Sequence, residues 1–180
     1  DIDTVKDITM TTNGFYLYKY AKSLADAGLS SVNISLDSLQ KERFIKITGV
    51  DALSDVIKGI NEAKRAGLST KINTVLQRGV NEDELFDIIG LAKDKKINVR
   101  FIEMMPIGHG RESVGVANFE ILEKIKKKYI VREDNKRYGN GPAKYIKLEG
   151  FAGSIGFIGA IHNKFCEGCN RIRFTSNGKL

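Results

Sequence analysis

Apolar positions along this chain follow two alternating rhythms. Leu53, Val56, Ile57, Ile60 and Ala63 fall three or four apart, the spacing that gathers side chains on one face of a helix. Gly67 then stands where a helix ends in a left-handed residue. A short, largely β-branched run, Ser69–Leu76, follows it. The same order of amphipathic stretch, Ala-Gly-Leu and strand occurs earlier, in "FYLYKYAKSLADAGLSSVNISLD". A third helix is expected from Asn81, with Glu84 completing a capping box and Leu85, Ile88, Ile89 and Ala92 forming its apolar stripe. The strands expected between the helices are Asp7–Thr12, Ser31–Ser35, Ser69–Leu76 and Asn98–Met104. Strand, helix and strand in this rhythm predict parallel βα units. Four such strands do not close an eight-stranded barrel, so a piece of a barrel or an open α/β sheet is expected.

Past Met105 the rhythm changes. "PIGHGRESVGVAN" reads as a loop, and Phe119–Lys128 as a helix capped by Asn118. From Val131 onward, short alternating runs separated by glycine predict antiparallel strands, including Lys144–Leu148 and Ser154–Ile161. A last strand is expected at Arg171–Thr175, with "SNG" turning after it.

The chain's 180 residues give room for one domain of ordinary size, and 42% hydrophobic content is enough for a core. No apolar run approaches the roughly 20 residues that a membrane helix needs. The polar opening "DIDTVKDITM" is unlike a signal peptide. Two cysteines without a secretory signal point to a reducing cytoplasm and to metal or redox chemistry. A net charge of +7 would attract nucleic acid, anionic lipid or a polyphosphate. Much of the excess is the cluster Lys124–Lys128, which also reads as a solvated face near a helix C-terminus.

Polar groups recur where the ends of parallel strands would place a ligand. Thr11 lies in "TTNG"; Asn33 and Ser35 alternate and lead to Asp37; Lys71 and Asn73 share a strand face; Arg100 precedes Glu103, Met104 and Met105. Any one of these cations could lie at a wet rim or in an ion pair. Thr11, Ser35, Lys71, Asn73 and Arg100 together favour a polar cavity that suits a triphosphate. Met105 is more often core filler, and strict alternation sets it on the face opposite Arg100, although Pro106 ends the strand beside it.

The two cysteines, Cys166 and Cys169, are spaced as a metal clip. A thioredoxin-like motif would sit at a helix start after an early strand, and closed zinc sites need four ligands. His162 lies four positions before Cys166, but cysteine is the usual iron–sulfur ligand. The remaining reading is an incomplete cluster site with a further cysteine expected beyond Leu180. Arg171 and Arg173 flank Ile172 and would project to one face of a strand as two cationic forks. His109, in a glycine-rich loop, reads as solvent-exposed.

"TTNG", "VNISLDSL", "GLSTKINTVLQRGVN", "RFIEMMPIG", "GPAKYI" and "GFIGAIHNKFCEGCNRIRFTSNGKL", in this order, resemble the MoaA family of GTP 3′,8-cyclases, radical SAM enzymes of molybdenum cofactor biosynthesis. The resemblance implies an α/β fold: a partial six-stranded βα barrel, here its C-terminal four strands in residues 1–106. An antiparallel α+β extension in 107–180 would carry part of an iron–sulfur site. It implies two 4Fe–4S clusters and S-adenosylmethionine, cleaved to a radical that takes hydrogen from the ribose 3′ carbon of GTP before attack on guanine C8. Residue by residue, it implies that Thr11, Lys71, Arg100, Arg171, Ile172 and Arg173 bind GTP. Ser35, Asn73 and Met105 would bind S-adenosylmethionine, and Cys166 and Cys169 would ligate the second cluster.

The radical-generating Cys-x3-Cys-x2-Cys loop of that family is not in this sequence, so the resemblance implies an internal fragment that is inactive alone. The implied partners are GTP and the next enzyme of the pathway, in the cytoplasm, without nucleic acid or membrane and with room for a homodimer. Two alternatives stand beside it. A basic nucleic-acid-binding α/β module would account for the charge, and a small redox or zinc module for the cysteines.

Overall fold

Strand and helix alternate through the first half of the chain as β1 (Thr9–Thr12), α1 (Leu17–Asp26), β2 (Ser31–Ser35), α2 (Lys41–Thr48), α3 (Leu53–Arg65), β3 (Ser69–Thr74), α4 (Leu85–Gly90) and β4 (Ile97–Ile102). Then come α5 (Asn118–Lys126), β5 (Val131–Asp134), β6 (Lys144–Leu148) and β7 (Ile155–Ile158). The structure is a computed structural model that describes residues 4–106, 108, 114–136, 138–139, 141–159 and 175–179. The expected strand at Arg171–Thr175 lies outside the described residues except for Thr175.

All seven strands join one sheet in the order β1-β2-β3-β4-β7-β6-β5. The first four run parallel. β6 runs antiparallel to both β5 and β7, as expected, but β7 also pairs in parallel with β4. The antiparallel part therefore extends the parallel sheet rather than forming a second one. The α/β class is as the rhythm implies.

Register sorts the side chains into two faces. Ile34, Ile72, Val99 and Ile155 are cross-strand neighbours, and each is fully buried against the helices. The helices answer with Leu17 and Ala21 of α1, Val56, Ile60 and Ala63 of α3, Leu85, Ile88 and Ile89 of α4, and Ile121 and Ile125 of α5. α3 ends as its sequence predicts, with Gly67 at φ 80°.

Several local expectations need correction. β1 begins at Thr9 rather than Asp7, β3 stops at Thr74 rather than Leu76, and β4 spans Ile97–Ile102 rather than Asn98–Met104. Asn118 is the first residue of α5, not its cap; Ala117 precedes it in extended backbone. No capping box forms between Asn81 and Glu84. Asn81 accepts a hydrogen bond from Gln77 N–H (2.7 Å) and donates to the Asp37 and Val75 carbonyls (2.7 and 3.0 Å). Glu84 instead accepts from Ser38 Oγ (2.7 Å), Leu39 N–H (2.6 Å) and Arg43 (2.6 Å). Parallel pairing of β2 with β3 brings those donors to the Glu84 carboxylate, and they replace the local cap. α2 was not expected, because Phe44 is its only buried residue and it has no apolar stripe.

Candidate functional site

The face of the sheet away from the helices is polar. Thr11, Asn33, Lys71 and Asn98 are consecutive cross-strand neighbours on β1 to β4. One step further along, Ser35, Asn73, Arg100, Gly156 and Tyr145 form the next row. A hydroxyl pair, Thr9 Oγ1 and Ser31 Oγ at 2.7 Å, closes the lower end. Of these, Thr9, Thr11, Ser31, Asn33, Lys71, Asn98 and Arg100 border a cavity of about 1150 Å³ whose far wall carries Asp134, Lys136, Tyr138 and Gly139.

Two amides fix Arg100. Its Nε donates to Asn73 Oδ1 at 2.8 Å, and one terminal nitrogen donates to Asn33 Oδ1 at 2.8 Å. Asn33 in turn donates to Thr11 Oγ1 at 3.3 Å. Gly156 leaves the room this needs: a Cβ there would lie 2.7 Å from the Tyr145 ring and 3.0 Å from Arg100 Cγ. The guanidinium is thus held as an oriented fork with 6% of the residue exposed.

Lys71 is 5% exposed, and among the described residues its ammonium has no hydrogen-bond or ion-pair partner. A Cβ on Gly139 would lie 3.8 Å from its Nζ, so the far wall comes close to it. Burial pushes the Lys71 amine below its ordinary value, Arg100 adds to this by repulsion, and Asp7 opposes it. Burial likewise pushes the Tyr145 hydroxyl up, with Arg100 pulling the other way. On the far wall, burial pushes the Asp134 carboxyl up. Hydrogen bonds from Ser154, Tyr138 and Lys136 N–H outweigh it and hold the group below its ordinary value.

A largely buried cation with open space before it is matched by an anion with several oxygens. Thr11, Lys71 and Arg100 line this one cavity. Asn73 acts one step back, as the acceptor that aims Arg100. Ser35 is exposed at the end of β2, and Met105 is 48% exposed past the end of β4. Cys166, Cys169, Arg171, Ile172, Arg173, His162 and His109 lie outside the described residues. Among the described residues, no group of three or more His, Cys, Asp or Glu is arranged to hold a metal, and no helix is long and apolar enough to cross a membrane.

Sequence reasoning missed the far wall and underrated two asparagines. Asn98 shares the β4 face of Arg100, so alternation alone could have marked it. Ser154 carries no local signal, because only the return of the chain through β6 and β7 brings it to Asp134 and Tyr138.

Comparison with known proteins divides the chain in two. Residues 2–92 match the model of the radical SAM superfamily, and residues 97–180 match that of Molybdenum Cofactor Synthesis C. A GTP 3′,8-cyclase of Clostridium perfringens (strain 13 / Type A) is 48% identical over 178 residues, covering 98% of this chain and 55% of its own length. That of Alkaliphilus oremlandii is 46% identical over 185 residues, 100% of this chain and 56% of its own. That of Helicobacter pylori (strain J99) is 41% identical over 174 residues, 96% and 54%. The chain therefore spans about half the length of the curated relatives it matches.

Proposed function

The chain belongs to the radical SAM superfamily, and from that premise we propose that it is part of a GTP 3′,8-cyclase of molybdenum cofactor biosynthesis. Residues 1–106 form its barrel portion and 107–180 the extension. One observation carries the substrate: a buried Lys71 ammonium, without a hydrogen-bond or ion-pair partner among the described residues, beside an Arg100 fork that two amides hold in place. A nucleoside triphosphate would give the ammonium the direct ion-pair partner that the described residues do not. Arg100 would donate to a phosphate oxygen with little loss of side-chain freedom. Thr11 Oγ1 is free to donate a hydrogen bond to the ligand while it accepts one from Asn33. Arg171, Ile172 and Arg173 complete the GTP site in this reading.

S-adenosylmethionine with an iron–sulfur cluster supplies the organic radical chemistry of this superfamily. Ser35, Asn73 and Met105 are the residues we assign toward S-adenosylmethionine, near the C-terminal ends of β2, β3 and β4. Cys166 and Cys169 are soft thiolate donors that fit two ligand positions of a second 4Fe–4S cluster, in an enzyme with two. The product would pass to the next enzyme of molybdopterin synthesis, in a reducing cytoplasm, with a homodimer as the assembly to look for.

The test uses the full-length protein, reconstituted anaerobically with iron and sulfide and given S-adenosylmethionine, a reductant and GTP. The expected result is a cyclised guanosine triphosphate. Lys71→Met should raise the KM for GTP at least about tenfold, which corresponds to losing one charge-assisted contact. Absence of cyclised product from protein carrying both clusters would overturn the assignment.

A further inference from the structure

The far wall of the cavity holds a cluster that the reading above leaves without a role. Asp134 ends the edge strand β5, and both of its carboxylate oxygens are engaged. Oδ1 accepts from Lys136 N–H at 3.1 Å. Oδ2 accepts from Ser154 Oγ at 2.6 Å and from Tyr138 OH at 2.8 Å. Tyr138 OH and Ser154 Oγ lie 2.9 Å apart and close a triangle. Ser154 is 1% exposed, and its N–H donates to Asn98 Oδ1 at 3.1 Å. The triangle is therefore tied through Asn98 to β4, the strand that carries Arg100.

Lys136 stands inside this frame. Its backbone is pinned by Asp134, and its ammonium lies 5.6 Å from the centre of the Tyr138 ring, a cation–π distance. The other neighbour of that ring is Tyr145, centroids 4.7 Å apart, which shares the cross-strand row of Arg100. Lys136 lines the cavity and is exposed, and among the described residues it has no ion-pair partner. Gly139, three positions on, is the residue that approaches Lys71 Nζ. A turn that only had to reverse the chain would need a backbone cap. This one also orders a tyrosine, through Asp134 and the buried Ser154 that precedes β7, beside a cation that lines the cavity.

We propose that Asp134, Ser154 and Tyr138 form a positioning unit that sets Lys136 at the mouth of the cavity as an additional phosphate contact, on the wall that faces Lys71. This rests on the cavity being the triphosphate site. Lys136 is the residue that touches the ligand, and the other three act through it. The ring of Tyr138 limits the side-chain freedom that a surface lysine would otherwise lose on binding.

The experiment is isothermal titration of the full-length protein with GTP and with guanosine, which shares the base and lacks the phosphates. Lys136→Gln should weaken GTP binding about tenfold, the worth of one charge-assisted hydrogen bond, and change guanosine binding less than about twofold; Lys136→Arg should restore most of the loss. Tyr138→Phe should weaken GTP roughly threefold in the wild-type background and have no further effect in the Lys136→Gln background, because coupled residues are not additive. Thermal denaturation of each variant checks the fold. Wild-type GTP affinity in Lys136→Gln, or full additivity of Tyr138→Phe with it, overturns the proposal while Lys71→Met still loses GTP. Wild-type affinity in Lys71→Met overturns the underlying reading instead.

Discussion

Lys71 holds a charge with no ion-pair partner among the described residues, only the more distant Asp7 acting in its favour. That costs stability in the free protein and is the reason the residue can hold an anion. The sign of the pH effect follows from the lowered amine. Between its folded value and 10.5, the unfolded chain binds more protons, so stability rises with pH across that window. The penalty is fully present below the folded value. Lys71→Met should therefore raise the melting temperature of the ligand-free full-length protein at neutral pH by about 2–4 °C, near 1 kcal/mol. It should also flatten the alkaline limb of a stability–pH curve, as differential scanning calorimetry would record. A lower melting temperature would mean that Lys71 is paired. The types and spacing of Thr11, Lys71 and Arg100 were legible as a polar strand face. That Asn33 and Asn73 aim the guanidinium was not, because the partners lie 67 and 27 residues away.

At the scale of elements, helices with an apolar stripe were legible and those without were not. α3 runs from Leu53 as its periodicity predicts, while α2 presents one buried side chain and leaves no pattern to read. What fixes α2 is the fully buried Glu84, which gathers Arg43, Ser38 and the Leu39 N–H across two loops. Replacing it by glutamine removes the charge that makes these bonds strong and leaves one acceptor for three donors. Glu84→Gln should cost about 2 kcal/mol in urea unfolding, with the loss of hydrogen-exchange protection centred on residues 38–48. An unchanged midpoint would make the network incidental. The local capping signal at Asn81 misled for the same reason: a carboxylate follows its strongest donors, and tertiary pairing supplied those.

Across the whole molecule, the two segments matched by different family models share one sheet, joined where β4 lies parallel to β3. On its other side β4 meets β7 tightly. Gly153 N–H donates to the Ala92 carbonyl at 2.8 Å, and a Cβ on Gly153 would run into the Ile97 carbonyl. Gly153→Ala must push β7 from β4 and should destabilise by about 2–3 kcal/mol. Hydrogen-exchange mass spectrometry should then find lost protection in both strands; loss confined to β7 would mean that β7 unfolds separately from β4. The net charge of +7 takes on meaning only at this scale, since two of its cations, Lys71 and Arg100, turn into the cavity rather than toward a flat partner. The strand–helix order, the apolar stripes and the polar character of one strand face were determined by the sequence alone, because near-neighbour spacing sets which side a residue takes on a helix or strand. Tertiary structure alone decided that β7 returns beside β4, that a second wall of Asp134, Lys136 and Tyr138 stands across from Lys71, and that Glu84 leaves its own helix start unserved. Those contacts join residues far apart in the chain, and no local spacing encodes which distant donor reaches a buried carboxylate first.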